Sequence, residues 1–82
     1  MPRLRRLGAR ETLRILQGFG FALISTRGSH AKLKREIEGH PPQILTVPLH
    51  RELAPGTVQA IYRQAARFIS EEELRPLFYA GV

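Results

Sequence analysis

Eighty-two residues without a cysteine make one small domain, residues 1–82, with a modest core and neither a disulfide framework nor a thiolate metal site. No run approaches a membrane span, and the basic opening MPRLRRLGAR is not followed by a signal-peptide core, so a soluble, cytoplasmic protein with no membrane partner is expected. The net charge of +6 is lopsided: residues 1–35 hold nine Arg or Lys and one Glu, against four Arg and six Glu in residues 36–82. Such a field attracts polyanions, which places nucleic acid ahead of an acidic protein as the partner class.

Arg3, Arg5 and Arg6 read as a flexible basic arm. Ala9, Leu13 and Leu16 then recur at helical spacing, with Arg10, Arg14 and Gln17 off the stripe, and Gly18 and Gly20 stop the predicted helix. A strand follows from Phe21 through FALIST to the turn signal Arg27-Gly28. SHAKLKREI alternates cleanly and forms the second half of a hairpin, with Ala31, Leu33, Arg35 and Ile37 on one face and His30, Lys32, Lys34 and Glu36 on the other. GHPPQ breaks the pattern, and ILTV makes a third strand closed by Pro48.

From Pro55-Gly56 a second helix is predicted, its buried stripe formed by Val58, Ile61, Ala65 and Phe68. Ser70 and Glu73 have capping-box spacing for a short third helix, which Pro76 is expected to kink or end near Arg75. This order predicts an α+β fold: a three-stranded antiparallel sheet with helices on one face and the other face free.

The three histidines, His30, His40 and His50, lie ten residues apart with no Cys or Asp near them. No zinc spacing, phosphate loop or dinucleotide fingerprint is present, so no metal and no small-molecule cofactor is expected. His30 is the strongest candidate because of its company. Neutral imidazole is the form a general base needs near pH 7, Arg27, Lys32 and Lys34 could hold a phosphate beside it, and Gly28 would let that phosphate approach the backbone. His50, after Val47-Pro48-Leu49, is either a turn residue bonded to backbone or a second histidine available for chemistry. Phe19, Phe21, Tyr62 and Tyr79 are too scattered to form a stacking platform for bases. The same pattern would equally serve a non-catalytic basic RNA-binding module.

Four ordered motifs carry a resemblance: Gly20-Phe21, then Gly28-Ser29-His30, then Thr46-Val47-Pro48-Leu49-His50, then Pro55-Gly56-Thr57 leading into VQAIYRQA. Between about Ala9 and Leu77 the chain resembles the HicA toxin family, also described as YcfA-like proteins. The resemblance implies a fold like a double-stranded RNA-binding domain, α-β-β-β-α, and an mRNA interferase, an endoribonuclease that needs no metal. It also implies a type II toxin–antitoxin system, a role in stress response, and neutralisation by a HicB-type antitoxin. The histidine of the GSH motif is catalytic in that family and maps to His30; the residues around it, Arg27, Gly28, Ser29, Lys32, Lys34 and His50, are the RNA contacts expected from the local reading of the sequence. Many members have a second histidine directly after the first, whereas this chain has Ala31.

Overall fold

The computed structural model describes residues 2–81. They form β1 (Arg3–Leu4), α1 (Ala9–Gly18), β2 (Ala22–Arg27), β3 (His30–Arg35), β4 (Gln43–Pro48), α2 (Pro55–Ala65), α3 (Glu71–Phe78) and β5 (Tyr79–Ala80). The fold is the expected α+β arrangement, an antiparallel meander β2-β3-β4 with helices packed against it. No helix among the described residues is long and apolar enough to cross a membrane.

Helix α1 starts where the Gly8 amide donates to the Glu11 carboxylate (3.0 Å) and the Thr12 hydroxyl donates back to the Gly8 carbonyl (2.9 Å). The first bond satisfies a backbone donor that a first turn otherwise leaves open, and the second gives the Thr12 hydroxyl an acceptor. Thr12 is thereby buried without cost, and together with Ala9 and Leu16 it forms the inner stripe, while Leu13 is half-buried. Gly20, at φ +95°, then turns the chain into β2, a conformation that favours glycine.

The hairpin turns on Gly28 and Ser29, with Gly28 at φ +57°, and pairs Arg27 with His30, Thr26 with Ala31 and Ser25 with Lys32. Alternation holds on β3. Ala31 and Leu33 are fully buried, opposite Val47 and Leu45 of β4, whereas His30 and Lys32 are exposed. The strand stops at Arg35, so Ile37 lies in the following loop and is exposed rather than on the inner face. Both α1 and α2 rest chiefly on β4. Edge strand β2 is consequently exposed along its whole length, with Leu23 45% and Ile24 50% accessible beside a bulge in the pairing.

Arg35, the only cation of β3 on the inner face, ties the layers together. Its guanidinium donates to Gln43 Oε1 (2.7 Å), to the Phe19 carbonyl (3.0 Å) and to the Phe68 carbonyl (2.7 Å), and sits 4.8 Å from the Phe21 ring centroid. The two carbonyls lie just beyond the ends of α1 and α2, where backbone acceptors lack helical partners.

Four further expectations need correction. The second helix ends at Ala65, so Phe68 lies in the turn that follows, half-buried against Phe21 with 6.2 Å between ring centroids; Tyr62 joins the buried stripe instead. Ser70 does cap α3, but its hydroxyl accepts from the Glu72 amide rather than forming a capping box with Glu73. Pro76 does not end α3, which continues to Phe78. The missing donor would have served a single bond near the helix end, and the burial of Leu74 and Phe78 one turn apart carries the helix past it. Lastly, the N-terminal arm is pinned rather than free. Arg3 and Leu4 pair with Ala80 and Tyr79, the Arg5 amide donates to the Phe78 carbonyl (2.8 Å), and its side chain donates to the Leu77 carbonyl (2.8 Å).

Candidate functional site

Strand pairing arranges the outer face of the sheet in rows. Arg27, His30 and Pro48 form the row at the hairpin end, Ser25, Lys32 and Thr46 the next, and Ala22, Lys34 and Ile44 the third. Since neighbouring strands stand about 5 Å apart, the Arg27 and His30 side chains rise as direct neighbours. Both are exposed. Among the described residues no carboxylate lies within 4.0 Å of the charged groups of Arg27 or Lys32, whereas Lys34 pairs with Glu36 at 3.5 Å. The unpaired positive charge is therefore concentrated in the first two rows.

Gly28 is open on every side: a Cβ built there would meet nothing within 4 Å, so only its left-handed backbone demands glycine. Ser29 fixes the turn from the other side, its carbonyl accepting the Leu49 amide just after β4. This bond draws the hairpin and the exit of β4 into one end of the sheet. Ala31, which occupies the place where a second histidine would stand, is fully buried beneath His30. A side chain at that position addresses the helices and not the face that carries His30.

His50 lies in the loop after β4, exposed, with its carbonyl accepting the Ala9 amide at 3.0 Å. His50 lines a groove of about 800 Å³ along α1 together with Arg10, Leu13, Arg14, Leu49 and Arg51. Thus Arg27, Gly28, Ser29 and His30 come together at one end of the sheet, Lys32 is one row in, Lys34 is two rows in and paired with Glu36, and His50 stands at the same end but beside the helix. His40 belongs to the β3–β4 connection, at the far end of β3. No group of three or more His, Cys, Asp or Glu among the described residues gathers as metal ligands would. The aromatics form no platform: Phe21 is buried under Arg35, and Tyr62 packs edge-on against Phe78 and Tyr79.

No curated protein matches the chain. The model of the family described as HicA toxin of bacterial toxin-antitoxin matches residues 9–66, from the first residue of α1 to just past the end of α2. That span holds the whole meander, both principal helices and every residue of the site just described. The chain accordingly belongs to the HicA toxin family, and is the toxin member of a toxin–antitoxin pair.

Proposed function

We propose that this toxin is an mRNA interferase acting in the cytoplasm, cleaving RNA without a metal, with His30 as the catalytic residue. The observation that carries the reading is the exposed imidazole at the hairpin end, flanked by the unpaired cations Arg27 and Lys32 on a face no helix covers. His30 takes the proton of a ribose 2′-hydroxyl, and the freed oxygen attacks the adjoining phosphorus. The bond to the 5′-oxygen of the next nucleotide breaks, leaving a 2′,3′-cyclic phosphate, and that oxygen takes a proton from solvent water on this open face. Arg27 and Lys32 stabilise the charge that builds on the phosphorane, with Lys34 in a lesser role because Glu36 shares its charge. The open backbone at Gly28 and Ser29 receives the phosphate closely, and His50 makes a further RNA contact. A HicB-type antitoxin silences the enzyme by covering this face.

The test is incubation of the pure protein with RNA in the presence of a chelator. Fragments are expected from the wild type, and His30→Ala should lower the rate by about 10²- to 10⁴-fold while leaving the melting temperature unchanged and relieving growth arrest in cells. A His30→Ala protein as active and as toxic as the parent would refute the assignment. RNA retained by the wild type without fragments would instead mark a non-catalytic RNA-binding module.

A further inference from the structure

We infer that the groove between α1 and the loop after β4 is a track for the sugar-phosphate backbone of single-stranded RNA, with Arg10, Arg14 and Arg51 as its phosphate contacts. The inference rests on the reading of RNA as the substrate and extends it from the scissile phosphate to the strand on one side of it.

The charge comes first. Three arginines line one groove of about 800 Å³, and among the described residues none of their guanidinium groups has a carboxylate within 4.0 Å or a hydrogen bond to another side chain or carbonyl. Glu11 also lines the groove, but one of its oxygens is held by the Gly8 amide. By contrast, Arg35 and Arg75 have evident structural partners. Like charges gathered without counter-charge repel one another, and a bound polyanion removes that cost.

Shape comes second. Arg10, Arg14 and Gln17 recur at i, i+4 and i+7, so they run along one side of α1 for about 10 Å. That is a line of contacts and not a single anion pocket. Leu13 and Leu49 supply apolar surface within the groove, suited to riboses and base edges between charged contacts.

The opposite wall is built rather than loose. Leu53 donates its amide to the Leu7 carbonyl and Ala9 to the His50 carbonyl, both at 3.0 Å. Gly8 passes so close to the Arg51 carbonyl that a Cβ there would overlap it. The backbone carrying His50 and Arg51 is therefore fixed against the start of α1.

Continuity comes third. Pro48 opposes His30 in the sheet, Leu49 is bonded to Ser29, and Leu49, His50 and Arg51 line the groove. A strand leaving the hairpin site needs only to round the end of β4 to enter it.

Binding is read by fluorescence anisotropy with a labelled oligonucleotide whose riboses are all 2′-O-methylated, so that no cleavage can intervene. The triple variant Arg10→Ala, Arg14→Ala, Arg51→Ala should bind on the order of tenfold or more weakly, and its log-log salt slope should be shallower by roughly 2, three phosphates at about 0.7 each. The comparison protein is Arg3→Ala, Arg63→Ala, Arg67→Ala, which removes the same charge away from the groove. Equal losses in both proteins, or no loss in the groove variant, would overturn the inference. So would a groove variant that keeps its RNA affinity but no longer captures the antitoxin. With cleavable RNA the groove variant should raise KM more than it lowers kcat, the reverse of His30→Ala. A wild type that binds the methylated strand but never cuts RNA would remove the nuclease reading and leave the groove to be judged by anisotropy alone.

Discussion

Arg35 shows how one position can be read from the sequence while its purpose cannot. Strict alternation along SHAKLKREI places it with Ala31 and Leu33 on the inner face, where an arginine looks misplaced. What makes it right are the carbonyls of Phe19 and Phe68, which lie 16 and 33 residues away along the chain and meet only once both helices have packed. A lysine gathers its donors on a single nitrogen and cannot span acceptors that here meet three different nitrogens of a planar guanidinium. Arg35→Lys should therefore lower stability by about 2 kcal/mol, a fall of roughly 10 °C in Tm, measured by thermal denaturation. An unchanged Tm would mean that the clamp is incidental.

His30 is the converse case. Its face, its neighbour Lys32 and its turn were all legible from period-two spacing and one glycine. Lys34 reads as an equal partner on the same grounds; alternation already puts Glu36 on its face, and the folded geometry brings the two charges to 3.5 Å. Arg10, Arg14 and Gln17 were visible as the polar side of a helix, but nothing in the string places Arg51 across from them. That proximity comes from Gly8, whose missing side chain lets two distant backbone segments touch.

Among the elements, α3 departs furthest from what local rules predict. A proline six residues into a helix argues for a break, yet Leu74 and Phe78 are fully buried on either side of it. Burying each of those side chains contributes about 2 kcal/mol, which offsets a penalty of about 3 kcal/mol for the proline. Helix α2 likewise ends sooner than its spacing predicts. Phe68 fits the helical stripe by spacing, but the chain leaves the helix so that the Phe68 carbonyl can meet Arg35.

The join between α2 and α3 has its own titration. Tyr62 is buried and donates to Glu71 Oε1 at 2.7 Å, and burial, followed by that bond and the glutamate's charge, raises its pKa above the ordinary 10.0. The unfolded chain then loses this proton before the folded one does, so the contribution to stability is complete below about pH 10 and is lost as pH rises through the folded-state value. Tyr62→Phe should cost about 1 kcal/mol at pH 7, and the gap to wild type in urea unfolding should close above about pH 10. A gap that stays constant to high pH would contradict the assignment.

On the scale of the whole molecule, the lopsided charge of the chain becomes a geometric asymmetry. The first 35 residues, which carry nine of the basic side chains, supply α1, β2 and β3, while most of the glutamates fall in α3 and the loops. Element order and sheet topology followed from periodicity because each strand and helix buries one face and leaves the other polar. The pairing of β1 with β5 did not, since two-residue strands have no period and a run of arginines resembles a free tail.

The bareness of β2 has a further consequence. A strand covered on neither face depends on β3 alone, so its amides should trade hydrogen for deuterium sooner than those of β3, which is bonded along both edges. Mass-spectrometric uptake across Leu23 and Ile24 then becomes the earliest reporter of anything that settles on this side of the sheet. Exchange in β2 as slow as in β3, in the isolated protein, would mean that another copy of the chain already occupies that edge.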